Sequence, residues 1–147
     1  MFDMRFADMS FREKGAWITC LALVGIFTPF FWNSWQQFTG ARDRATAIST
    51  AFGLLALFVV VEIVAHAVLA MLSPREARTP KDERERLIEM RATFIAFQVL
   101  VVGALAAVAT IHATPSAWVM QQVLLFAIVV AELVKFGTQI VLFRRDA

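Results

Sequence analysis

Four long apolar runs dominate the pattern of hydrophobic and polar positions along the chain. They cover residues 16–38, 45–72, 92–111 and 117–143. Each reaches or exceeds the roughly 20 residues that a helix needs to cross a hydrocarbon core of about 30 Å. A spanning segment must satisfy its own backbone hydrogen bonds, and runs of this length are too long for barrel strands. The pattern therefore predicts one all-α integral membrane domain over residues 1–147, with four transmembrane helices.

Composition agrees with a bilayer as the surrounding solvent. Of the 147 residues, 59% are hydrophobic, and the mean hydropathy of +0.67 lies outside the ordinary range of soluble domains. The net charge of +2 is too small to indicate a nucleic-acid partner. Cys20 is the only cysteine, which excludes an intrachain disulfide. The first span is followed by no small-x-small cleavage site, so we expect it to stay in the mature chain.

Basic residues are distributed unevenly among the segments that join the spans. Most of them precede the first span, lie in the charged loop 73–91 or close the chain, whereas the other two loops hold only Arg42 and Arg44. Because loops rich in Lys and Arg stay on the cytoplasmic side, we predict that both termini and the middle loop are cytoplasmic. Opposite charges three and four residues apart in 82–91 predict a helix that continues into the third span.

A short motif occurs twice, seventy residues apart. Residues 59–64 read Val-Val-Val-Glu-Ile-Val and residues 129–134 read Val-Val-Ala-Glu-Leu-Val, each near the end of its apolar run. The repeat indicates two similar helical hairpins of equal orientation, related by a pseudo-twofold axis along the membrane normal. It also predicts similar depths for Glu62 and Glu132, where a charge costs at least about 2.5 kcal/mol.

Five polar side chains form a predicted intramembrane cluster: Glu62, His66, Gln98, Glu132 and Lys135. Glu62 and His66 are four residues apart, so they share a helix face and can hydrogen-bond or share a proton. Glu132 and Lys135 are three residues apart and can form a desolvated ion pair. Each glutamate is therefore expected to have a partner on its own helix.

The cluster has three interpretations. Its groups can satisfy one another and so fix the packing of the four helices. They can also form a path for protons or cations, which membrane acids beside a histidine commonly do. A divalent metal site from Glu62, His66 and Glu132 is the third alternative, although the chain offers no second histidine at that depth. His112 falls at the outer surface, which argues against haem bound by two histidines of one chain.

Two local patterns predict packing and a helix start. Gly103 and Ala107 give the third span a small-xxx-small face, which permits close approach of a helix from the same chain or from another. Ser10 with Glu13 has the spacing of a capping box and predicts the start of the first helix.

Three segments resemble a family of small, uncharacterised bacterial inner-membrane proteins with four spans. They are residues 10–17, the acidic-Glu-Arg-acidic-Arg-x-Ile motif at residues 82–88, and residues 132–135 together with Arg144 and Arg145. The resemblance covers most of the chain and implies a bacterial inner membrane. It transfers no catalytic residue.

Motifs of soluble catalysis are missing from the sequence, which has no Gly-rich phosphate loop, no Ser-His-Asp set and no Cys-His pair at a common depth. We therefore predict a non-enzymatic membrane protein with a structural, regulatory or complex-forming role, without a cofactor or bound metal. Its expected partners are the lipid bilayer and either a second copy or another membrane protein. The alternative is a proton- or cation-coupled channel or transporter that uses Glu62 and His66, and the second alternative is a metal or redox protein.

Overall fold

The computed structural model describes residues 10–37, 44–72, 74, 82–113 and 117–145. These residues form four long helices: α1 (Phe11–Gln37), α2 (Arg44–Leu72), α3 (Glu83–Ala113) and α4 (Ala117–Arg145). Each contains a segment long and apolar enough to cross a membrane. The predicted all-α membrane fold with four spans is therefore confirmed. Residues 83–91 of the predicted charged loop are helical and form the beginning of α3, as their charge spacing indicated.

Both α1 and α3 begin at a capping residue. The backbone N–H of Glu13 donates to Ser10 Oγ at 3.2 Å, which confirms the predicted cap of α1. At α3, the backbone N–H of Glu83 donates to Asp82 Oδ1 at 2.8 Å, and the backbone N–H of Asp82 donates to Glu85 Oε2 at 3.3 Å. These bonds satisfy N–H groups that the helix itself leaves without a partner.

The helices pack in the order α2, α1, α4, α3. Extensive contacts join α1 to α2, α1 to α4 and α3 to α4. Four side-chain contacts show that α1 runs antiparallel to α2 and to α4: Thr19 with Glu62, Phe27 with Phe58, Glu13 with Arg144, and Phe31 with Phe126. The pair of Arg12 with Glu85 brings the starts of α1 and α3 together, so α3 is antiparallel to α4 as well. One end of the bundle therefore holds the starts of α1 and α3 and the ends of α2 and α4. We name it the charged end, because Arg12, Glu85 and Arg144 lie there.

The packing is less symmetrical than two equivalent hairpins would make it. A twofold axis that exchanges the hairpins maps α1 onto α3 and α2 onto α4. The contact between α2 and α3 would then be as extensive as the contact between α1 and α4. Among the described residues, the contact between α2 and α3 is much smaller than the one between α1 and α4. The duplication of the sequence stays a prediction, and the contacts of its two halves differ.

Two kinds of packing hold the bundle together. Apolar side chains of α1 and α4, together with Ala51 of α2, form the apolar cluster: Leu23, Phe27, Phe30, Ala51, Leu125 and Val129. Small residues fill the contact between α3 and α4, where a Cβ on Gly103 would overlap the Cβ of Ala127. Ala92 and Ala107 of α3 are fully buried, at 0% and 1% exposed. The predicted small-residue face thus packs within the chain, against α4.

Candidate functional site

Two ion pairs connect α1 to other helices at the charged end. Arg12 Nε lies 2.9 Å from Glu85 Oε2 of α3. Arg144 Nε of α4 donates to Glu13 Oε1 at 3.0 Å, and its guanidinium lies 5.4 Å from the ring centre of Trp17. The Glu13 side chain is only 11% exposed, so Arg144 neutralises a largely buried carboxylate.

Glu62 connects α2 to α1 and to its own neighbour His66. Thr19 Oγ1 donates to Glu62 Oε2 at 2.9 Å, and it also lies 3.2 Å from the carbonyl oxygen of Gly15. His66 Nδ1 lies 2.9 Å from the Glu62 carbonyl oxygen and 3.2 Å from Glu62 Oε2. Since the carbonyl can only accept, this geometry fits a ring with its proton on Nδ1. Glu62 Oε1 is buried and has no hydrogen-bond partner among the residues that the structure describes.

A cavity of about 360 Å³ enters the bundle from the charged end, and all four helices line it. Its polar lining includes Arg12, His66, Glu89, Lys135 and Gln139. The His66 side chain is 47% exposed. A Cβ added at Gly15 would lie 3.4 Å from His66 Nε2, so Gly15 leaves room for the imidazole beside α1. His66 thus contacts both the cavity and Glu62.

Glu132 and Lys135 form the predicted ion pair on α4, with 3.3 Å between Lys135 Nζ and Glu132 Oε2. Lys135 Nζ also lies 4.9 Å from the ring centre of Phe136. The Glu132 side chain is 42% exposed and that of Lys135 is 28% exposed. Glu132 therefore lies at the surface of the bundle, whereas Lys135 also lines the cavity.

Gln98 lies on the exposed surface of α3. The reason is geometric: α3 turns Ala96 and Gly103 towards α4, and at about 100° per residue Gln98 then points away from that contact. Gly103 of α3 lies against Ala127 of α4. Because the two helices are antiparallel, five residues towards the charged end lead from Gly103 to Gln98 and from Ala127 to Glu132. Gln98 and Glu132 therefore lie at the same level.

The five predicted residues consequently divide into two groups. Glu62 and His66, with Thr19, form the Glu62 site between α1 and α2. The other three residues lie outside it, Gln98 on the outward face of α3 and the Glu132–Lys135 pair on α4, and we name them the surface polar group, of which Lys135 also lines the cavity. The groups differ in depth, because α2 ends ten residues after Glu62 whereas α4 continues for thirteen residues after Glu132. Glu132 therefore lies about one helical turn farther from the charged end than Glu62.

The predicted polar cluster omits four polar residues that the structure buries: Glu13, Thr19, Ser34 and Gln122. Thr19 is 2% exposed and contacts Glu62, a partner that a depth count along antiparallel helices could have found. Glu13 was recognised only as a capping residue, although its carboxylate pairs with Arg144. Gln122 of α4 is 5% exposed, and both polar atoms of its amide lack a hydrogen-bond partner.

Within the part of the chain that the structure describes, no three His, Cys, Asp or Glu side chains are grouped to hold a metal ion. Comparisons of the chain with protein-family models, with curated proteins and with solved structures give no match. The function is therefore argued from the geometry of the two polar groups.

Proposed function

We propose that this chain is a non-catalytic membrane component with a structural or regulatory role, and that it self-associates through the outward face of α3. The observation that carries the proposal is the surface polar group. Gln98 and Glu132 lie at one level on neighbouring helices, and both are exposed on the bundle surface. Polar groups that face hydrocarbon are costly, and contact with polar groups of another helix reduces that cost.

A second copy of the same chain fits this surface. Two copies inserted in the membrane with the same orientation have their Gln98 side chains at the same depth. A carboxamide is both donor and acceptor, and two of them facing each other across a twofold axis can bond reciprocally. We therefore place Gln98 of one copy opposite Gln98 of the other.

The structural part of the proposal is supported by the contacts of α1. Its polar side chains reach each of the other helices: Thr19 bonds to Glu62, Arg12 pairs with Glu85, and Glu13 pairs with Arg144. These groups satisfy one another across helix contacts, as expected of polar residues that fix one packing arrangement.

The proposed location is the bacterial inner membrane, with the charged end in the cytoplasm. The resemblance of three sequence segments to four-span inner-membrane proteins supports the membrane. The concentration of basic residues in the segments at the charged end supports the orientation, because such segments stay on the cytoplasmic side.

Gln98→Leu is expected to weaken self-association in lipid. Interhelical hydrogen bonds in membranes contribute about 0.6–2 kcal/mol, so the dissociation constant should rise by about 3- to 30-fold. Energy transfer between donor- and acceptor-labelled copies in liposomes, followed as lipid is added, measures this constant.

The matched control is Gln121→Leu, the same change near the beginning of α4 and far from the surface polar group. It should leave the dissociation constant unchanged. Equal effects of the two substitutions, or no energy transfer in the unmodified protein, would contradict self-association through Gln98.

A further inference from the structure

We propose that Glu62 is a proton-binding site that exchanges its proton with water at the charged end only, by way of the cavity and His66. The inference rests on the alternative function, a proton-coupled role for Glu62 and His66, and narrows it to proton binding from one side. It does not depend on self-association, since Gln98, the residue placed between the two copies, belongs neither to the Glu62 site nor to the cavity lining.

The two carboxylate oxygens of Glu62 have different surroundings. Its Oε2 has partners, Thr19 Oγ1 at 2.9 Å and His66 Nδ1 at 3.2 Å. Its Oε1 is buried without any partner, and the side chain as a whole is 18% exposed. An ionised carboxylate with one oxygen out of reach of water and donors is costly, and a proton removes the net charge.

His66 connects this carboxylate to water. Its ring lines the cavity and its Nδ1 lies at the Glu62 carboxylate, so its Nε2 is the nitrogen left for cavity water. A proton that binds to Nε2 makes the ring an imidazolium, and the Nδ1 proton then moves to Glu62 Oε2. The ring is left neutral with its proton on Nε2, and Nδ1 can accept a hydrogen bond from the new carboxylic acid.

Charged groups near this route are largely balanced by partners. The charged residues of α3 and α4 that line the cavity are Glu85, Glu89 and Lys135, and Lys135 pairs with Glu132. Arg12 of α1 also lines the cavity and pairs with Glu85. The thiol of Cys20, also on α1, interacts electrostatically with Glu62. Neither of these two ion pairs includes Glu62, so protonation of Glu62 leaves both of them intact.

The opposite direction is closed by apolar side chains. Beyond Glu62, towards the other end of the bundle, lies the apolar cluster with Leu23, Phe27 and Val129 at its centre. Phe27 is 1% exposed and contacts the ring of Phe58 on α2. Proton transfer needs hydrogen-bonding groups or water, which these side chains do not provide. A proton on Glu62 therefore leaves by the route through which it entered.

Infrared spectroscopy of the protein in lipid, titrated with acid, tests the site. The chain has 12 Asp and Glu residues, and acid protonates the other carboxyls as well, so the test compares spectra. The carbonyl absorption of the unmodified protein should contain a component that Glu132→Gln keeps and Glu62→Gln lacks. Identical carbonyl absorption in the unmodified protein and in Glu62→Gln would overturn the assignment. Circular dichroism establishes that the variants keep their helices.

His66→Asn is the second variant, and it keeps the Glu62 carboxyl in place. The carbonyl component of Glu62 should remain, and its exchange into deuterated water should slow by at least about tenfold. An unchanged rate would overturn the role of His66.

Liposomes that contain a pH-sensitive dye test whether the site opens to one side only. No proton flux above that of empty vesicles is expected, and a flux abolished by Glu62→Gln would overturn access from one side. These outcomes leave the self-association measurement unaffected.

Discussion

Gly103→Ala is expected to force α3 away from α4 and to lower the free energy of unfolding by about 2–3 kcal/mol, the upper part of the range for overpacked sites. The added Cβ would overlap Ala127 Cβ and lie 3.4 Å from Ala127 Cα. Both are atoms that a side-chain rotation cannot move, so the helices themselves must separate. Contacts of the buried Ala92 and Ala107 would be loosened at the same time.

Gly137→Ala is the matched control, since an added Cβ at this α4 position meets nothing within 4 Å. Its unfolding free energy should equal or slightly exceed that of the unmodified protein, because alanine favours a helix more than glycine does. Unfolding by SDS in mixed micelles measures both variants. Equal stability of the two would show that Gly103 does not set the distance between α3 and α4.

Arg144→Ala is expected to cost about 3 kcal/mol of unfolding free energy, the lower end of the range for a broken buried ion pair. The substitution leaves the Glu13 carboxylate, 11% exposed, without its 3.0 Å partner. The lower end applies because the Arg144 side chain is itself 33% exposed and part of its interaction is screened. The loss of the contact with Trp17 adds to the cost.

Two further variants test whether the unpaired Glu13 carboxylate causes the loss of stability in Arg144→Ala. Arg145→Ala removes the neighbouring exposed arginine and should change stability by less than about 0.5 kcal/mol. The double variant Glu13→Ala/Arg144→Ala should be more stable than Arg144→Ala alone, because it no longer buries an unpaired carboxylate. Thermal unfolding in detergent ranks the variants. A double variant less stable than the single one would contradict the ion-pair explanation.

Local features of the structure could be predicted from the sequence. Apolar runs long enough to span a bilayer gave the four helices, and the spacing of Ser10 and Glu13 gave the cap of α1. Pairs within one helix were also predictable, since residues three or four positions apart share a face. Glu132 with Lys135 belongs to this class.

The order of the helices could not be predicted. In a membrane, the outward faces of a helix are as apolar as the inward ones, so hydrophobic periodicity does not indicate which face meets a neighbour. The sequence therefore placed Gln98 in one cluster with Glu62, whereas the structure has it exposed on α3. The contact of Thr19 with Glu62 joins residues 43 positions apart and depends on the packing of α1 against α2.

The separation of the two glutamates has a consequence for function. Glu132 has an ion-pair partner on its own helix and is 42% exposed, which suits a contact between copies. Glu62 is 18% exposed, with one oxygen unpartnered and a histidine between it and the cavity. We propose association for one site and proton binding for the other, and we expect substitutions to abolish the two proposed roles separately.

Self-association through α3 is the central claim, and cysteine cross-linking in the membrane tests it most directly. Val102 is 68% exposed and lies one turn from Gln98 on the same face, so its cysteine variant keeps the amide in place. With Cys20 replaced by serine, a disulfide can form only between copies whose residues at the substituted position are close together.

Ile63→Cys on α2, at 63% exposed, is the control. Oxidation should give a cross-linked dimer with Val102→Cys, much less with Ile63→Cys, and less again when Gln98→Leu is added to Val102→Cys. Equal cross-linking at positions 102 and 63, or none at 102, would contradict the claim.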